Sequence, residues 1–310
     1  MSEQIRIREA KREEYWMKQG EYLLRDVFPN CTIGSPITKE MEAYFFSDEY
    51  RNHMNALCDR DIDNAKMIFF EREGKKIGFC FYCTYSSEDG KCFIIDFCIY
   101  PEYRKKGYGK ACFNQLQKEE TEARYYELNL SNELNQNFWK SLGFQYNGFD
   151  EYGSILYDLI LENDEEKIFC EELKKENYWQ IRNLQNGYKA EIGEEFLSEV
   201  QQEQLIHAIK QEEIHFFVAK RKTRVVGICS VSMTFSTFQC KCRGIFEDFF
   251  IEPLFRKKGI SMLLTRYVFE WCKQQEISSL WVGCSDKDVK MYQYLGFKTP
   301  LGNLLTWSVD

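Results

Sequence analysis

The chain has 310 residues, of which 44% are hydrophobic and 16% are aromatic, and its formal net charge is −8. The length suggests two domains, and the apolar content is sufficient for two packed cores, which argues against a disordered chain. The acidic balance argues against nucleic acid as a partner. The charged stretch Met1–Trp16 lacks the apolar core of a signal peptide. No apolar run is long enough for a transmembrane helix, so we expect no membrane partner. We therefore expect a cytoplasmic protein.

The sequence contains 13 cysteines, which could form disulfides, bind metal or lie buried as thiols. Cys80 and Cys83 have the spacing of a zinc-binding pair, but they lie in an apolar segment that predicts a strand. A spacing of three in a strand directs the two sulfurs to opposite faces. Because the cytosol also keeps thiols reduced, we predict ordinary buried thiols and no metal site.

Hydrophobic periodicity in the first half predicts a strand, two helices, three strands, a helix, a strand, a helix and two strands. Gly74 and the pair Asp89-Gly90 mark the turns between the three central strands. In chain order, these elements are Ile5–Arg8, Glu13–Val27, Lys39–Cys58, Met67–Arg72, Ile77–Tyr85, Cys92–Tyr100, Gly107–Thr121, Tyr125–Leu130, Glu133–Ser141, a strand near Phe144, and Ser154–Leu161.

The second half repeats this order. The acidic run Glu162–Glu166 separates the halves, which predicts domains of residues 1–163 and 164–310. Its predicted elements are Lys167–Cys170, Lys174–Leu184, Gly193–Gln211, His215–Lys220, Val225–Phe235, Ile245–Glu252, a helix with Leu264, Tyr267, Val268 and Trp271 on one face, Leu280–Gly283, Asp286–Tyr294 and Leu304–Val309.

One segment occurs twice, as Asp96–Gly109 and as Asp248–Ser261. Each copy runs from an apolar strand through a proline into an Arg-Lys-Lys-Gly loop, and then into a helix. The glycine allows a tight turn, and the start of the helix presents unpaired N–H groups to an anion. The helix dipole and the lysines favour the same charge. Each half is therefore predicted to hold a pyrophosphate.

A second repeated feature follows each loop. The tripeptides Leu142-Gly143-Phe144 and Leu295-Gly296-Phe297 have the pattern of a helix end, in which glycine takes the left-handed position. An aromatic residue lies three positions before each tripeptide: Trp139 in the first half and Tyr292 in the second.

Taken together, the loops and the aromatic-x-x-Leu-Gly-Phe segments resemble the GNAT superfamily of acyl-CoA-dependent N-acyltransferases. The resemblance covers nearly the whole chain as two tandem domains. It implies an α/β (α+β) fold in which each domain is a mixed, mostly antiparallel sheet flanked by helices. It also implies that acetyl-CoA binds in a cleft where the fourth and fifth strands separate.

The resemblance further implies which backbone groups bind acetyl-CoA. The pantetheine arm would pair with the fourth strand, and the loop amides would bind the pyrophosphate. The fourth-strand positions are Phe97, Cys98 and Ile99 in the first half, and Phe249, Phe250 and Ile251 in the second. The loop positions are Arg104, Lys105, Lys106, Gly107, Tyr108, Gly109 and Lys110, and Arg256, Lys257, Lys258, Gly259, Ile260 and Ser261. Asn132 matches an asparagine that often contacts CoA in the family.

The implied chemistry is direct attack of an amine on the thioester, which needs a base, an oxyanion donor and an acid for the thiolate. Tyr292 matches the family's usual acid, whereas the indole of Trp139 in the first half is no practical acid. Glu247 and Asp248 are the candidate bases. As neighbours on a strand they should point to opposite faces, so that only one lines the cleft. An alternative is a carboxylate satisfied by backbone N–H groups at a bulge.

The first half matches the family better at the loop, and the second half matches it better at the acid. We therefore predict that the first half binds CoA better but is catalytically degenerate, and that the second half is catalytic. The alternative is that the first half uses a different acid. The segment Phe246–Phe250 is similar to one in spermidine/spermine N-acetyltransferases, which favours an amine of a small molecule or peptide as acceptor. A non-catalytic acyl-CoA sensor or scaffold is the alternative function. We expect a monomer or a homodimer.

Overall fold

A computed structural model of the protein describes residues 5–31, 37–130, 132–150, 152–161 and 167–302. The chain forms two compact units, an N-terminal unit of Met1–Gly148 with Tyr152–Glu165 and a C-terminal unit of Phe149–Glu151 with Glu166–Asp310. The predicted linker Glu162–Glu166 and the predicted strand Leu304–Val309 lie outside the described residues.

The N-terminal unit contains a seven-stranded sheet with the order β1-β2-β3-β4-β5-β7-β6. Its strands are β1 (Arg6–Glu9), β2 (Asn64–Arg72), β3 (Lys75–Tyr85), β4 (Lys91–Ile99), β5 (Tyr125–Asn129), β6 (Gln145–Phe149) and β7 (Ile155–Ile160). Its helices are α1 (Arg12–Tyr22), which continues as a π-helical turn over Leu23–Val27, α2 (Lys39–Phe45), α3 (Asp48–Cys58), α4 (Tyr108–Glu119) and α5 (Glu133–Ser141).

Alternation along β2 explains how this sheet is covered on both faces. Ile68 and Phe70 pack with Phe113 of α4 in one core cluster. Met67 and Phe69 belong to a second cluster with residues of α1 and α3. The sheet is therefore buried between two helical layers, and its fourth strand has side chains in both cores.

The C-terminal unit contains a five-stranded sheet with the order β12-β11-β10-β9-β8. Its strands are β8 (Ile168–Glu172), β9 (Ile214–Arg221), β10 (Arg224–Ser236), β11 (Lys241–Ile251) and β12 (Leu280–Val282). Its helices are α6 (Arg182–Ile192), α7 (Glu199–Lys210), α8 (Ile260–Gln274) and α9 (Val289–Leu295), and a 3₁₀ segment Lys175–Ile181 precedes α6.

Both sheets separate at equivalent places. The parallel strands β4 and β5 pair only from Lys91 to Phe93, although β4 continues to Ile99. Likewise β11 pairs with β12 only from Gly244 to Phe246 and continues to Ile251. On their other sides, β4 pairs with β3 and β11 pairs with β10, and both pairings are antiparallel. This confirms the predicted fold class, including the gap between the fourth and fifth strands.

Several helix boundaries differ from the prediction for identifiable reasons. The predicted helix over Lys39–Cys58 is interrupted at Ser47, whose side chain accepts a hydrogen bond from the amide of Tyr50 and starts α3. The predicted start at Gly193 is wrong because that glycine, with φ of 80°, ends α6. Helix α7 begins instead after Ser198, which forms a capping box with Gln201.

None of the helices in the described ranges combines the length and the apolar character required to cross a membrane.

Candidate functional site

The two basic loops have the same backbone geometry. Lys105 and Gly107 have φ values of 56° and 83°, and Lys257 and Gly259 have values of 60° and 80°. Left-handed residues next to right-handed ones turn successive N–H groups toward a common concavity, which binds anions. A helix starts directly after each glycine. The backbone of each loop is therefore compatible with the predicted phosphate site.

The arginine of the first loop is held by other groups of the protein. Its Nε donates to the carbonyl of Ile99 at 2.6 Å, and its guanidinium pairs with Asp26 at 2.5 Å and 3.1 Å. The amide of Arg104 donates to the carbonyl of Pro101 at 3.2 Å. Arg104 therefore connects the end of β4 to the turn that follows α1.

The second loop repeats this arrangement. Arg256 donates to the carbonyl of Ile251 at 2.8 Å and to Glu191 of α6 at 3.0 Å, and its amide donates to the carbonyl of Pro253. The amides of Arg104 and Arg256 each donate within a turn, and their role in binding the pyrophosphate stays a prediction.

The amides that follow the arginines have a different environment. The first helical hydrogen bonds that return to each loop are Ala111 N–H to Gly107 and Leu263 N–H to Gly259. Among the described residues, none accepts a backbone hydrogen bond from the amides of Lys105–Lys110 or of Lys257–Ser261. These groups fit the predicted pyrophosphate, whose charge requires several donors.

The cleft of the N-terminal unit is bridged by its own aromatic side chains. Phe138 of α5 stacks on Phe97 of β4, with centroids 5.9 Å apart and an interplanar angle of 28°. A Cβ atom on Gly109 would lie 2.8 Å from Phe138. Trp139 is only 7% exposed and packs against Phe97 at 5.3 Å. This packing argues against the prediction that the N-terminal unit is the better CoA-binding half.

Asp96, the counterpart of Asp248, is hydrogen-bonded to another side chain of the N-terminal unit. The hydroxyl of Tyr15 donates to Asp96 Oδ2 at 2.5 Å, and both side chains are buried. Burial raises the pKa of Asp96, and hydrogen bonds from Tyr15 and Gln19 oppose this shift. Asp96 is therefore bonded within the core.

Asn132 has a structural role at the start of α5. Its Oδ1 accepts a hydrogen bond from the amide of Asn135 at 2.8 Å, as expected of a helix N-cap. In the C-terminal unit, the hydroxyl of Ser285 donates to Asp288 at 2.5 Å. The contact of Asn132 with CoA stays a prediction, and capping accounts for its burial.

Tyr292 occupies the position in the C-terminal unit that Trp139 occupies in the N-terminal unit. The Trp139 carbonyl accepts a bond from the amide of Phe144, and the Tyr292 carbonyl accepts one from Phe297. Tyr292 is half-buried, and its ring lies 6.3 Å from that of Phe249.

The residue that precedes Tyr292 differs from its counterpart in the N-terminal unit. Met291, which stands at the position of Phe138, is 41% exposed. Within the described part of the chain, the Tyr292 hydroxyl has no hydrogen-bond partner. Burial, and then the neighbouring Tyr188, raises the pKa of Tyr292 to about 12. The hydroxyl therefore stays protonated at neutral pH, as an acid must.

The two candidate bases lie on the same face of the sheet, so the prediction that they point to opposite faces is wrong. Asp248 has a φ of 52°, and the pairing of β10 with β11 is irregular between Ile228 and Ser230. Such a bulge inserts an extra residue and turns neighbouring side chains to one side.

Hydrogen bonds from β10 identify that face. The hydroxyl of Ser230 donates to Asp248 Oδ2 at 3.0 Å, and the hydroxyl of Ser232 donates to Glu247 Oε2 at 2.8 Å. Residues two apart on a strand share a face. Asp248 is half-buried, whereas Glu247 is exposed.

Sequence reasoning missed three polar residues of this region: Ser230, Ser232 and Tyr188. The two serines lie on β10, and only their position opposite the acidic pair could have indicated them. Tyr188 of α6 lies near the acidic groups: burial, followed by the negative charges of Asp248, Glu247 and Asp288, raises its pKa.

Comparison with known proteins shows one family in each half of the chain. A family described as "Acetyltransferase (GNAT) domain" matches residues 172–303, and one described as "Acetyltransferase (GNAT) family" matches residues 35–144. No curated protein matches the chain.

Several solved acetyltransferases are similar to part of the chain. A Trypanosoma brucei acetyltransferase is 18% identical, with a TM-score of 0.39, over 46% of this chain and 100% of its own. Glucosamine-6-phosphate N-acetyltransferase from Arabidopsis thaliana is 14% identical, with a TM-score of 0.38, over 46% and 99%. An aminoglycoside acetyltransferase from an uncultured soil metagenomic sample, solved with sisomicin, is 14% identical, with a TM-score of 0.42, over 46% and 96%. On the strength of the two family matches, the chain belongs to the GNAT acetyltransferases and carries two GNAT domains in tandem.

Proposed function

We propose that the protein is an acetyl-CoA-dependent N-acetyltransferase that acts on a primary amine of a small molecule or peptide, and that its C-terminal unit is the catalytic one. One observation carries the assignment. In the C-terminal unit, β11 carries two carboxylates and continues beyond its pairing with β12, and a tyrosine whose hydroxyl has no hydrogen-bond partner among the described residues packs against Phe249 of β11. In the N-terminal unit, Trp139 replaces the tyrosine and Asp96 is bonded to Tyr15.

Binding of acetyl-CoA would use the backbone of the C-terminal unit. The amides of Lys257–Ser261 are suited to the pyrophosphate, and the edge of β11 beyond Phe246, which β12 does not pair, is suited to the pantetheine amides. Phe249, Phe250 and Ile251 supply that edge. The bound cosubstrate would supply the thioester that the amine attacks.

Residues on the two sides of the gap would move the protons. An amine binds as an ammonium ion at neutral pH, so a carboxylate of the Glu247–Asp248 pair would remove a proton before attack. An N–H group of the β11 edge would stabilise the oxyanion. The Tyr292 hydroxyl would then donate its proton to the departing thiolate. Each group would act at a different atom of the reacting centre.

The proposal is tested by incubating the protein with acetyl-CoA and a panel of amines and measuring thiol release together with acetylated product. Product formation that depends on both components supports transfer. Binding of acetyl-CoA with no product from any amine would instead favour the non-catalytic sensor or scaffold function.

Acetyl-CoA is expected to stabilise the folded protein. A ligand that binds only the native state at about 100 times its dissociation constant adds about 2.7 kcal/mol to the free energy of unfolding. Thermal unfolding with and without acetyl-CoA measures this effect. Acetyl-pantetheine, which has the thioester but lacks the nucleotide, serves as the control. If calorimetry at millimolar concentration detects neither CoA nor acetyl-CoA binding, the loops do not bind the cosubstrate.

A further inference from the structure

Asp248 is held by a single side chain of the neighbouring strand. Ser230 is fully buried, and its hydroxyl donates to Asp248 Oδ2 at 3.0 Å. Among the described residues, no hydrogen bond reaches the second carboxylate oxygen, Oδ1. Because the side chain is only half-buried, that oxygen keeps the capacity to accept a proton from an incoming group. One oxygen is thus fixed while the other stays available.

The N-terminal unit shows what this position looks like without the serine. Gly78 and Gly227 are equivalent, because a Cβ on either would collide with the isoleucine that ends the adjacent strand. Phe81 therefore stands where Ser230 stands, each three residues after its glycine. In that unit the hydroxyl of Tyr15 bonds the carboxylate instead.

In the C-terminal unit the tyrosine has a different partner. The hydroxyl of Tyr178, the counterpart of Tyr15, donates to Gln185 at 2.6 Å rather than to Asp248. Asp248 is consequently released from the core tyrosine and held by Ser230 alone among the described residues. The second carboxylate, Glu247, is exposed and bonded to Ser232, so it lacks the partly enclosed environment of Asp248.

We propose that Ser230 is a positioning residue that holds Asp248 as the general base of the C-terminal cleft. This inference rests on the proposed acetyltransferase function, and it selects one carboxylate of the acidic pair.

The electrostatic environment of Asp248 sets the sign of the expected effect. Burial raises the pKa of Asp248, and the hydrogen bond from Ser230 opposes this shift by stabilising the ionised form. Removing the hydroxyl should therefore raise the pKa further. The titratable and charged groups whose charges interact with Asp248 are Glu247 on β11, Cys229 on β10, Tyr178 before α6, and Tyr188 and Lys189 on α6.

The test compares Ser230→Ala with Ser232→Ala in the full chain. A hydrogen bond to a charged group has a free energy that corresponds to about one pKa unit, so the acid limb of kcat/KM against pH should move up by about one unit in Ser230→Ala. At pH values below the pKa of the base, kcat/KM of Ser230→Ala should be about tenfold lower than that of the wild-type protein, while KM for acetyl-CoA stays constant. Ser232→Ala removes the matching bond to Glu247 and should leave the limb in place.

A double-mutant cycle separates positioning from a general loss of structure. If Ser230 acts through Asp248, then Ser230→Ala should have no further effect on the pH profile of an Asp248→Asn protein, which keeps the shape of the side chain. Additive effects, or a limb that moves only in Ser232→Ala, would overturn the assignment and move the base to Glu247. A wild-type protein that binds acetyl-CoA but acetylates no amine would overturn the proposed function itself, and the assignment of Asp248 with it.

Discussion

Replacement of Tyr292 by phenylalanine is expected to slow turnover about 10²–10⁴-fold, the usual effect of removing a positioned acid. The ring and its contacts with Phe246, Phe249 and Phe297 remain, so folding should change little. Because the hydroxyl has no hydrogen-bond partner in the described residues, its removal leaves no buried group unsatisfied. The measurement is steady-state kinetics with an amine found by screening.

The split between kcat and affinity identifies the cause. The lost interaction belongs to the transition state, so the dissociation constant for acetyl-CoA should stay nearly constant while kcat falls. Trp139→Phe is the matched control, because it changes the equivalent position of the N-terminal unit. It should leave turnover almost unchanged. A crippled Trp139→Phe protein with a normal Tyr292→Phe protein would place the chemistry in the N-terminal unit.

The fold and the loops could be predicted because they follow from local patterns that occur twice. Alternating apolar residues specify the central strands, and glycines mark the left-handed turns. Gly107 and Gly259 adopt nearly the same φ, at 83° and 80°, as the repeated loop sequence suggests. The gap between the fourth and fifth strands was an implication of the family resemblance, and the strand pairing confirms it.

The orientation of the acidic pair could not be predicted from its position on a strand. Strand periodicity assigns Glu247 and Asp248 to opposite faces, but a bulge shifts the register by one residue. That bulge depends on how β10 pairs with β11, beside Gly227, where a Cβ would lie 2.4 Å from Ile251 Cδ1. Such a constraint joins residues that are far apart in sequence, so a local pattern does not contain it.

The filling of the N-terminal cleft has a similar origin. The Gly-Tyr-Gly loop matches the family better than its counterpart, and by loop sequence alone that half is the better candidate for CoA. The decisive contact is between Gly109 and Phe138, which belong to different helices. Gly109 is smaller than its counterpart Ser261, and Phe138 is larger than its counterpart Met291. Only the tertiary packing shows that the ring of Phe138 lies against Gly109.

Replacement of Gly259 by glutamate is expected to weaken acetyl-CoA binding about 10–100-fold. The position points into open space, since a Cβ there would meet no atom within 4 Å. A carboxylate at the mouth of the loop would repel the pyrophosphate and compete for the amides of Lys257–Ser261. The loss of one hydrogen bond to a charged group accounts for a change of this size. Isothermal titration of acetyl-CoA into each variant measures it.

Two further variants make the result specific. Gly259→Ala has the same unfavourable left-handed backbone, with φ of 80°, but no added charge, so it reports the contribution of strain alone. Gly107→Glu places the same charge at the equivalent loop of the N-terminal unit, where Phe97, Phe138 and Trp139 already bridge the cleft. It should leave acetyl-CoA affinity nearly unchanged. If Gly107→Glu weakens binding while Gly259→Glu does not, the N-terminal loop holds the cosubstrate and Phe138 must move aside to admit it.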